Sequence, residues 1–453
     1  MNLESRNPAT GELIGTYPPH DAAEIETRLR RAHETAAVWR SEVSMPERVA
    51  LMLRLAELLE SRAEDYGRLI TSEMGKPLSE AIAEVRKSAT GARHFAEKGP
   101  DYLADSPIDG LNARVVYEPL GPIFAIMPWN LPFWQVLRFF IPTALAGNTV
   151  LVKHSDSVQG CAHALEQLVL DAGAPRGLYQ NLSIRRDAVA GIVADPRIAA
   201  ATVTGSTAAG RAVAQVAGEN GKKVVLELGG SDPFLVFEDA ELDKAVKMAV
   251  LSRFSNNAQS CIAAKRILVA ESVYDAFEAA FLSAVKALAV GDPTAPETQF
   301  GPLARDSVVR DTERQVADAV AQGGRILCGG KRLDRPGNFF APTVIADLPH
   351  DAPIAHEEIF GPVALLFRVA DEKQAIATAN DSEFGLGATV WSGDAARVAR
   401  VVSALDAGAV FINSFVRSDP RAPFGGIKAS GYGRELGALG ARELTNAKLV
   451  FSD

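Results

Sequence analysis

Two doubly wound α/β domains with a separate β-strand arm are the fold class this sequence predicts, on three observations. The chain has 453 residues, and at about 100–200 residues per domain that means two or three cores. Short apolar, β-rich runs alternate with helix-length segments in two successive blocks, the pattern of parallel strands joined by crossover helices. Two more strand-like runs, "ARVVYEPLG" (113–121) and "AKLVFSD" (447–453), belong to neither block.

The elements follow in order. The first third begins with helices: "SMPERVALMLRLAELLESRAEDYGRLITSEMG" opens with Ser44 and Glu47 in capping-box spacing, keeps a helical period and stops at Gly75. The first alternating block has the strands "PIFAIMPW", "NTVLVKH", "AAATVTG" and "KKVVLELGG", separated by helices such as "DSVQGCAHALEQLVLDAGAP" and "STAAGRAVAQVAGEN". After Gly230 the second block has "PFLVFED", "AKRILVA", "VALLFRV", "GATVWS" and "GAVFIN". The detached runs either pair as an arm that joins subunits or simply edge a sheet.

Composition excludes several functions. The formal net charge of −9 argues against a nucleic-acid or anionic-membrane partner. The N-terminus lacks a cationic start followed by an apolar core, so no signal peptide is expected. No run approaches the roughly 18 apolar residues of a membrane span. Cys161, Cys261 and Cys328 are odd in number and far apart, with no CxxC, which indicates neither a disulfide framework nor a metal site. The expected location is cytoplasmic. The closest histidine pair, His350 and His356, frames a Pro-containing loop.

Four stretches carry candidate chemistry. "GSTAAGR" (205–211) lacks the Lys-Ser/Thr ending of a nucleotide P-loop, and no GxGxxG follows a strand. A strand, a Thr-Gly-Ser turn and a helix remain, which can still present backbone N–H groups to a pyrophosphate. In "VVLELGGSDP" (224–233), Glu227 ends a hydrophobic strand, either as a solvated surface residue or as a general base in a cleft at the sheet's C-terminal edge. In "MPWNLPFWQVLRFF" (127–140), Asn130 is either a helix N-cap or an oxyanion donor. Arg138 is either a snorkelling surface cation or a carboxylate anchor. "SNNAQSCIAAKR" (255–266) crowds Asn256, Asn257, Gln259 and Ser260 before Cys261, unusual company for a packing cysteine.

Together, "MPWN", "VLVKH", "VTGS", "LELGG", "QSCIAAKR", "EEIFGPV" and "PFGGIKASGYGRELG" resemble, in that order, the motifs of the aldehyde dehydrogenase superfamily. The short chain, "WNLPFWQVLRFFIP", "KHSD" and the loop "VRSDPRAPFGG" are most similar to the short bacterial succinate-semialdehyde dehydrogenases. The resemblance implies the aldehyde dehydrogenase fold, with a NAD-binding domain at 1–107 and 120–228, a catalytic domain at 229–425 and an oligomerisation arm at 108–119 and 440–453. It implies a homodimer or homotetramer and no metal.

By motif match, the resemblance makes Cys261 the nucleophile. The Asn130 side chain and the Cys261 backbone N–H hold the oxyanion, and Glu227 activates water to hydrolyse the thioester. The neighbours of Cys261 are then expected to be small and polar to leave room for substrate, cofactor and oxyanion. Lys153 and Asp156 match adenosine-ribose positions, Gly205 and Ser206 the pyrophosphate turn, and Glu358 and Phe360 the nicotinamide-ribose contact and its packing partner, with Trp129 lining the same cleft. A small neutral residue stands at the Asp156 position in some NADP-using relatives, and a carboxylate there repels a 2′-phosphate. NAD is therefore expected as the preferred cofactor, with NADP as a second.

Arg138 matches an arginine that binds the distal carboxylate of succinate semialdehyde. The second such arginine falls at Ser255, with Arg253 two residues off, and Arg417 or Ser418 is expected to substitute. Ala263 at the second position after Cys261 removes a vicinal-disulfide switch. The expected reaction is NAD(P)-dependent oxidation of succinate semialdehyde to succinate. Another ω-carboxy or small aliphatic aldehyde is one alternative and a non-catalytic binding member of the family another; Glu227 argues against a CoA-acylating enzyme.

Overall fold

The computed structural model describes residues 2–452; Met1 and Asp453, the outer ends of the expected NAD-binding domain and arm, lie outside the described residues. Its first large sheet has six strands in the order Gly431–Tyr432, Lys223–Glu227, Ala200–Thr204, Pro122–Met127, Thr149–His154, Tyr179–Asn181. All pairs are parallel except Gly431–Tyr432 on Lys223–Glu227. The central strands are apolar without alternation because helices cover both faces, and Val150, Leu151 and Val152 are fully buried.

The strand order reverses between Pro122–Met127 and Ala200–Thr204, and an open α/β sheet binds ligands in the crevice beyond such a point. Trp129, Lys153, Asp156, Gly205 and Ser206 all stand at or just after the C-terminal ends of these strands.

The second sheet has seven strands in the order Arg325–Cys328, Thr343–Ala346, Val363–Val369, Ala264–Ala270, Asp232–Val236, Gly387–Trp391, Ala409–Ile412. Only the Arg325–Cys328 edge is antiparallel. Every strand expected in the second block is present. The detached runs pair with each other: Ala113–Pro119 lies antiparallel to Thr445–Phe451 along their whole length, with Ser106–Pro107 on the other side. They therefore form a small third sheet and edge neither large one.

The N-terminal third differs from expectation: it begins with an antiparallel strand pair, Leu3–Arg6 and Leu13–Tyr17, ahead of the first helix, Ala22–Ser41. The stretch from Ser44 to Gly75 is two helices, Met45–Ser61 and Ala63–Met74, broken at Arg62 with φ −108° and ψ 17°. The Ser44–Glu47 capping box is formed, and Gly75 ends the second helix in the left-handed region at φ 87°. The next helix, Leu78–Tyr102, packs against the helix Trp134–Leu145 and brings buried charge to the site described below. No described helix is long and apolar enough to cross a membrane.

Candidate active site

Cys261 lies in the loop between the helix Leu242–Phe254 and the strand Ala264–Ala270. Asn256, Asn257 and Ala258 all have left-handed φ, at 55°, 53° and 61°, a conformation that asparagine tolerates better than most residues. The polar residues before Cys261 do not make room. Asn257 and Gln259 are fully buried and fasten the loop. Asn257 Nδ2 donates to the carbonyls of Gly75 at 2.9 Å and Pro302 at 2.8 Å, while its Oδ1 accepts from Gly301 N–H at 2.8 Å. Gln259 Oε1 accepts from Ala304 N–H at 3.0 Å. These bonds hold a strained turn at the end of which the thiol is presented.

Behind the thiol, Lys265 Nζ donates to the carbonyls of Ser260 at 2.9 Å and Cys261 at 2.8 Å. The Cys261 side chain is partly exposed but sits among groups that exclude water, and burial pushes its thiol up to about 12. The charges of Arg138 and Lys265 oppose that rise, while Glu358 and Asp232 add to it. Loss of its proton is therefore a requirement of any nucleophilic role.

Asn130 is not a helix N-cap. The helix Trp134–Leu145 begins after Phe133, and Glu84 Oε1 accepts from the N–H groups of Phe133 at 2.8 Å and Trp134 at 3.0 Å. Asn130 instead reaches the cysteine loop, where its Nδ2 donates to Gln259 O at 2.9 Å. Asn256 Nδ2 donates to that same carbonyl and to Asn130 O. One N–H of the Asn130 amide is thus used to lock its orientation, leaving the other as a donor.

Glu227 ends its strand buried, 2 % exposed, so it is no solvated surface residue. Neither carboxylate oxygen has a hydrogen-bond partner among the described residues. A Cβ on Gly425 would lie 2.7 Å from Oε1, and one on Gly230 would lie 2.6 Å from the Cys261 carbonyl oxygen. Gly230 therefore lets the chain just after Glu227 approach the cysteine loop, and Gly425 leaves room for the Glu227 carboxylate. Burial lifts the Glu227 carboxyl well above the usual carboxylate range, Glu435 adds to the lift, and Arg138 and Arg434 oppose it.

Arg138 is buried, not snorkelling. It forms an ion pair with Glu435 and stacks over the Phe424 ring at 4.6 Å. Glu435 is held by reciprocal backbone bonds with Phe424, at 2.7 and 2.8 Å. Glu435, inside the motif "GRELG", is a buried partner of Arg138 that no local sequence signal marks. Arg138 Nη2 is buried and has no partner among the described residues.

Arg253, two residues off the second arginine position, and the expected substitutes Arg417 and Ser418 have different fates. Arg253 is fully buried and spent on backbone, donating to the carbonyls of Val363, Ala258, Ile359 and Gly361. Arg417 is exposed, over the Phe415 ring and 3.2 Å from Ser414 Oγ. Ser418 is buried, and its Oγ accepts from Trp134 Nε1 at 2.9 Å and Lys87 Nζ at 2.8 Å.

At the sheet's crevice, Lys153 Nζ pairs with Asp156 Oδ1 at 2.8 Å, and Asp156 is half exposed. Ser206 caps the helix Thr207–Glu219 by accepting from Ala209 N–H at 3.3 Å. Thr204 Oγ1 is buried without a partner among the described residues, and a Cβ on Gly205 would meet nothing within 3.9 Å except Val203. Trp129 meets Phe360 edge-on with centroids 5.7 Å apart, and the Arg305 guanidinium lies 4.9 Å from the Trp129 ring. Glu358 Oε1 accepts from Gly230 N–H at 3.1 Å and lies 3.3 Å from Lys265 Nζ. An open turn at a helix N-terminus, an orphaned hydroxyl and an aromatic corner beside a carboxylate fit a dinucleotide.

Comparison with known proteins gives the same picture. The succinate-semialdehyde dehydrogenase (NADP(+)) 1 of Mycobacterium tuberculosis is 46% identical over 456 residues, covering all of both chains. The succinate-semialdehyde dehydrogenase (NADP(+)) of Mycolicibacterium paratuberculosis is also 46% identical, over all of this chain and 97% of its own. The crystal structure of succinic semialdehyde dehydrogenase from Streptococcus pyogenes, in complex with NADP+, superposes with a TM-score of 0.97 at 37% identity over 99% of each chain. Residues 1–450 match the aldehyde dehydrogenase family model. The match of residues 1–450 to the family model, with relatives 46% identical over the whole chain, places this protein in the aldehyde dehydrogenase family.

Proposed function

We propose that the chain oxidises succinate semialdehyde to succinate, with NAD preferred over NADP. The observation that carries the substrate is Arg138: a buried guanidinium beside the reacting groups with an unfilled N–H donor. Burying such a donor without a partner costs about 1–3 kcal/mol, and more for a charged group. A substrate carboxylate would fill it.

In this reading the Cys261 sulfur, once deprotonated, attacks the aldehyde carbon. The free N–H of Asn130 and the Cys261 backbone N–H stabilise the oxyanion. A bound nicotinamide dinucleotide supplies the hydride acceptor. Glu227, a stronger base for being desolvated, then takes a proton from the water that cleaves the thioester.

Arg138→Ala would be a poor test because it also strands Glu435 and Glu227. Arg138→Lys keeps the charge but loses the guanidinium fork. Wild-type enzyme is expected to prefer succinate semialdehyde to butanal in kcat/KM, and Arg138→Lys to reduce that preference about 10- to 100-fold. Equal use of both aldehydes by the wild type would reject the substrate.

The cofactor rests on Asp156. Its carboxylate, at the rim of the crevice, accepts from a ribose hydroxyl and opposes a 2′-phosphate. The names of the relatives carry NADP(+), so Asp156 sets a measurable departure. Asp156→Ser is expected to shift the NAD/NADP ratio of kcat/KM toward NADP by about tenfold or more, since like-charge contacts cost several kcal/mol. An unchanged ratio would remove Asp156 from cofactor choice.

We propose also that the third sheet joins subunits. Leu449 and Phe451 on its outer strand are 61% and 56% exposed, which suits a covered edge better than a solvated one. Light scattering is expected to give a dimer or tetramer; a monomer would refute the arm.

A further inference from the structure

Lys87 belongs to none of the sequence motifs, yet its Nζ reaches the Ser418 hydroxyl, a candidate substrate contact. It lies on the helix Leu78–Tyr102, one turn after Glu84 and one turn before Gly91. Trp134 packs onto that face: a Cβ on Gly91 would be 3.0 Å from its ring, and Lys87 Nζ lies 4.7 Å from the ring centroid. Trp134 and Arg138 are four residues apart on their own helix, so they share one face. Lys87 and Trp134 thus meet where the two helices pack, with Arg138 one turn further along the face that carries Trp134.

Two features indicate that this cluster awaits an anion. The first is the Ser418 hydroxyl, whose oxygen already accepts from Lys87 Nζ and Trp134 Nε1. Both lone pairs are occupied, so the hydroxyl has only its proton left to give. A carboxylate can take it; an alkyl chain cannot.

The second is uncompensated charge. The carboxylates near Lys87 are committed elsewhere: Glu84 to Lys76 and to two backbone N–H groups, Asp419 to both arms of Arg421. Burial and then the charge of Arg138 bring the Lys87 ammonium down to about 8; Glu84 and Asp419 pull it back up, and Arg417 adds the smallest push down. A buried ammonium beside the Arg138 guanidinium is relieved by binding an anion.

We propose that Lys87, together with the Ser418 hydroxyl it orients, is the second contact for the substrate's distal carboxylate, opposite Arg138. This rests on the semialdehyde reading above and deepens it. It answers the absence of an arginine at Ser255: the second cation comes from the helix Leu78–Tyr102 instead of the cysteine loop. The ligand class is a short aldehyde ending in a carboxylate, and succinate as product should occupy the same contacts.

The test compares succinate semialdehyde with butanal in wild type, Lys87→Met and Lys87→Arg, using NAD, with succinate as a competitive inhibitor. In Lys87→Met the ratio of the two kcat/KM values is expected to fall about 10- to 100-fold, as for a lost charged hydrogen bond. The loss should appear in KM for the semialdehyde, with the inhibition constant of succinate rising in parallel and Lys87→Arg restoring most of both. A high wild-type ratio that survives Lys87→Met overturns the proposal and leaves the semialdehyde reading standing. An equal loss on both aldehydes, with succinate inhibition unchanged, assigns Lys87 to folding and also overturns it. A wild-type ratio near one rejects the semialdehyde reading and the Lys87 proposal with it.

Discussion

Cys261→Ala is expected to lower aldehyde oxidation by about 10⁴-fold or more, as when a covalent nucleophile is removed from its machinery. Substrate binding should persist, because the oxyanion donor and the cationic pocket stand on other elements. The same sulfur carries a pH signature. With its thiol pushed up to about 12, the thiolate fraction in the free enzyme rises about tenfold per pH unit below that value. Alkylation of Cys261 by iodoacetamide should therefore climb steadily from pH 7 to pH 10 without levelling. Peptide mapping separates it from Cys161, which is fully buried, and Cys328. A plateau below pH 9 would mean that the charges of Arg138 and Lys265 outweigh desolvation.

Glu227→Gln should split the reaction in two. The amide keeps the size of the side chain beside Gly425 but cannot take a proton from water. Acylation of Cys261 with release of one NADH per site is expected to survive as a burst. Steady-state turnover is expected to fall about 10²- to 10⁴-fold, the usual contribution of a positioned base. Loss of the burst together with turnover would show Glu227 acting before the thioester, as the base that deprotonates Cys261.

What the sequence revealed depended on how local its causes are. Nine strands of the two large sheets were legible because buried parallel strands are continuous apolar runs bounded by turns, as at Thr149–His154 and Ala264–Ala270, whereas Tyr179–Asn181, Arg325–Cys328, Thr343–Ala346 and Gly431–Tyr432 were not. The Ser44–Glu47 cap was legible because both partners lie within one turn. The break at Arg62 was not: "ESRAEDY" contains neither proline nor glycine, and the two helices diverge to pack separately on the helix Leu78–Tyr102.

The site divides in the same way. Cys261, Glu227 and Asn130 were each ambiguous alone, and only their order among the family motifs singled them out. The polar residues before Cys261 were noticed but misread, because the carbonyls that Asn257 holds lie 182 and 45 residues away. Glu435 and Lys87 gave no signal. One sits in a glycine-rich turn and the other on a charged helix, and only the fold shows that each meets the buried surroundings of Arg138 or Trp134.

In the proposed reaction, succinate semialdehyde is oxidised through a thioester on Cys261 that Glu227 resolves. The decisive measurement is the intact mass of Glu227→Gln mixed with succinate semialdehyde and NAD, quenched in acid, with peptide mapping of the adduct. One succinyl group per chain is expected, on Cys261, formed together with one NADH and absent without NAD. NADH formed with no adduct, or an adduct on any other residue, would contradict it.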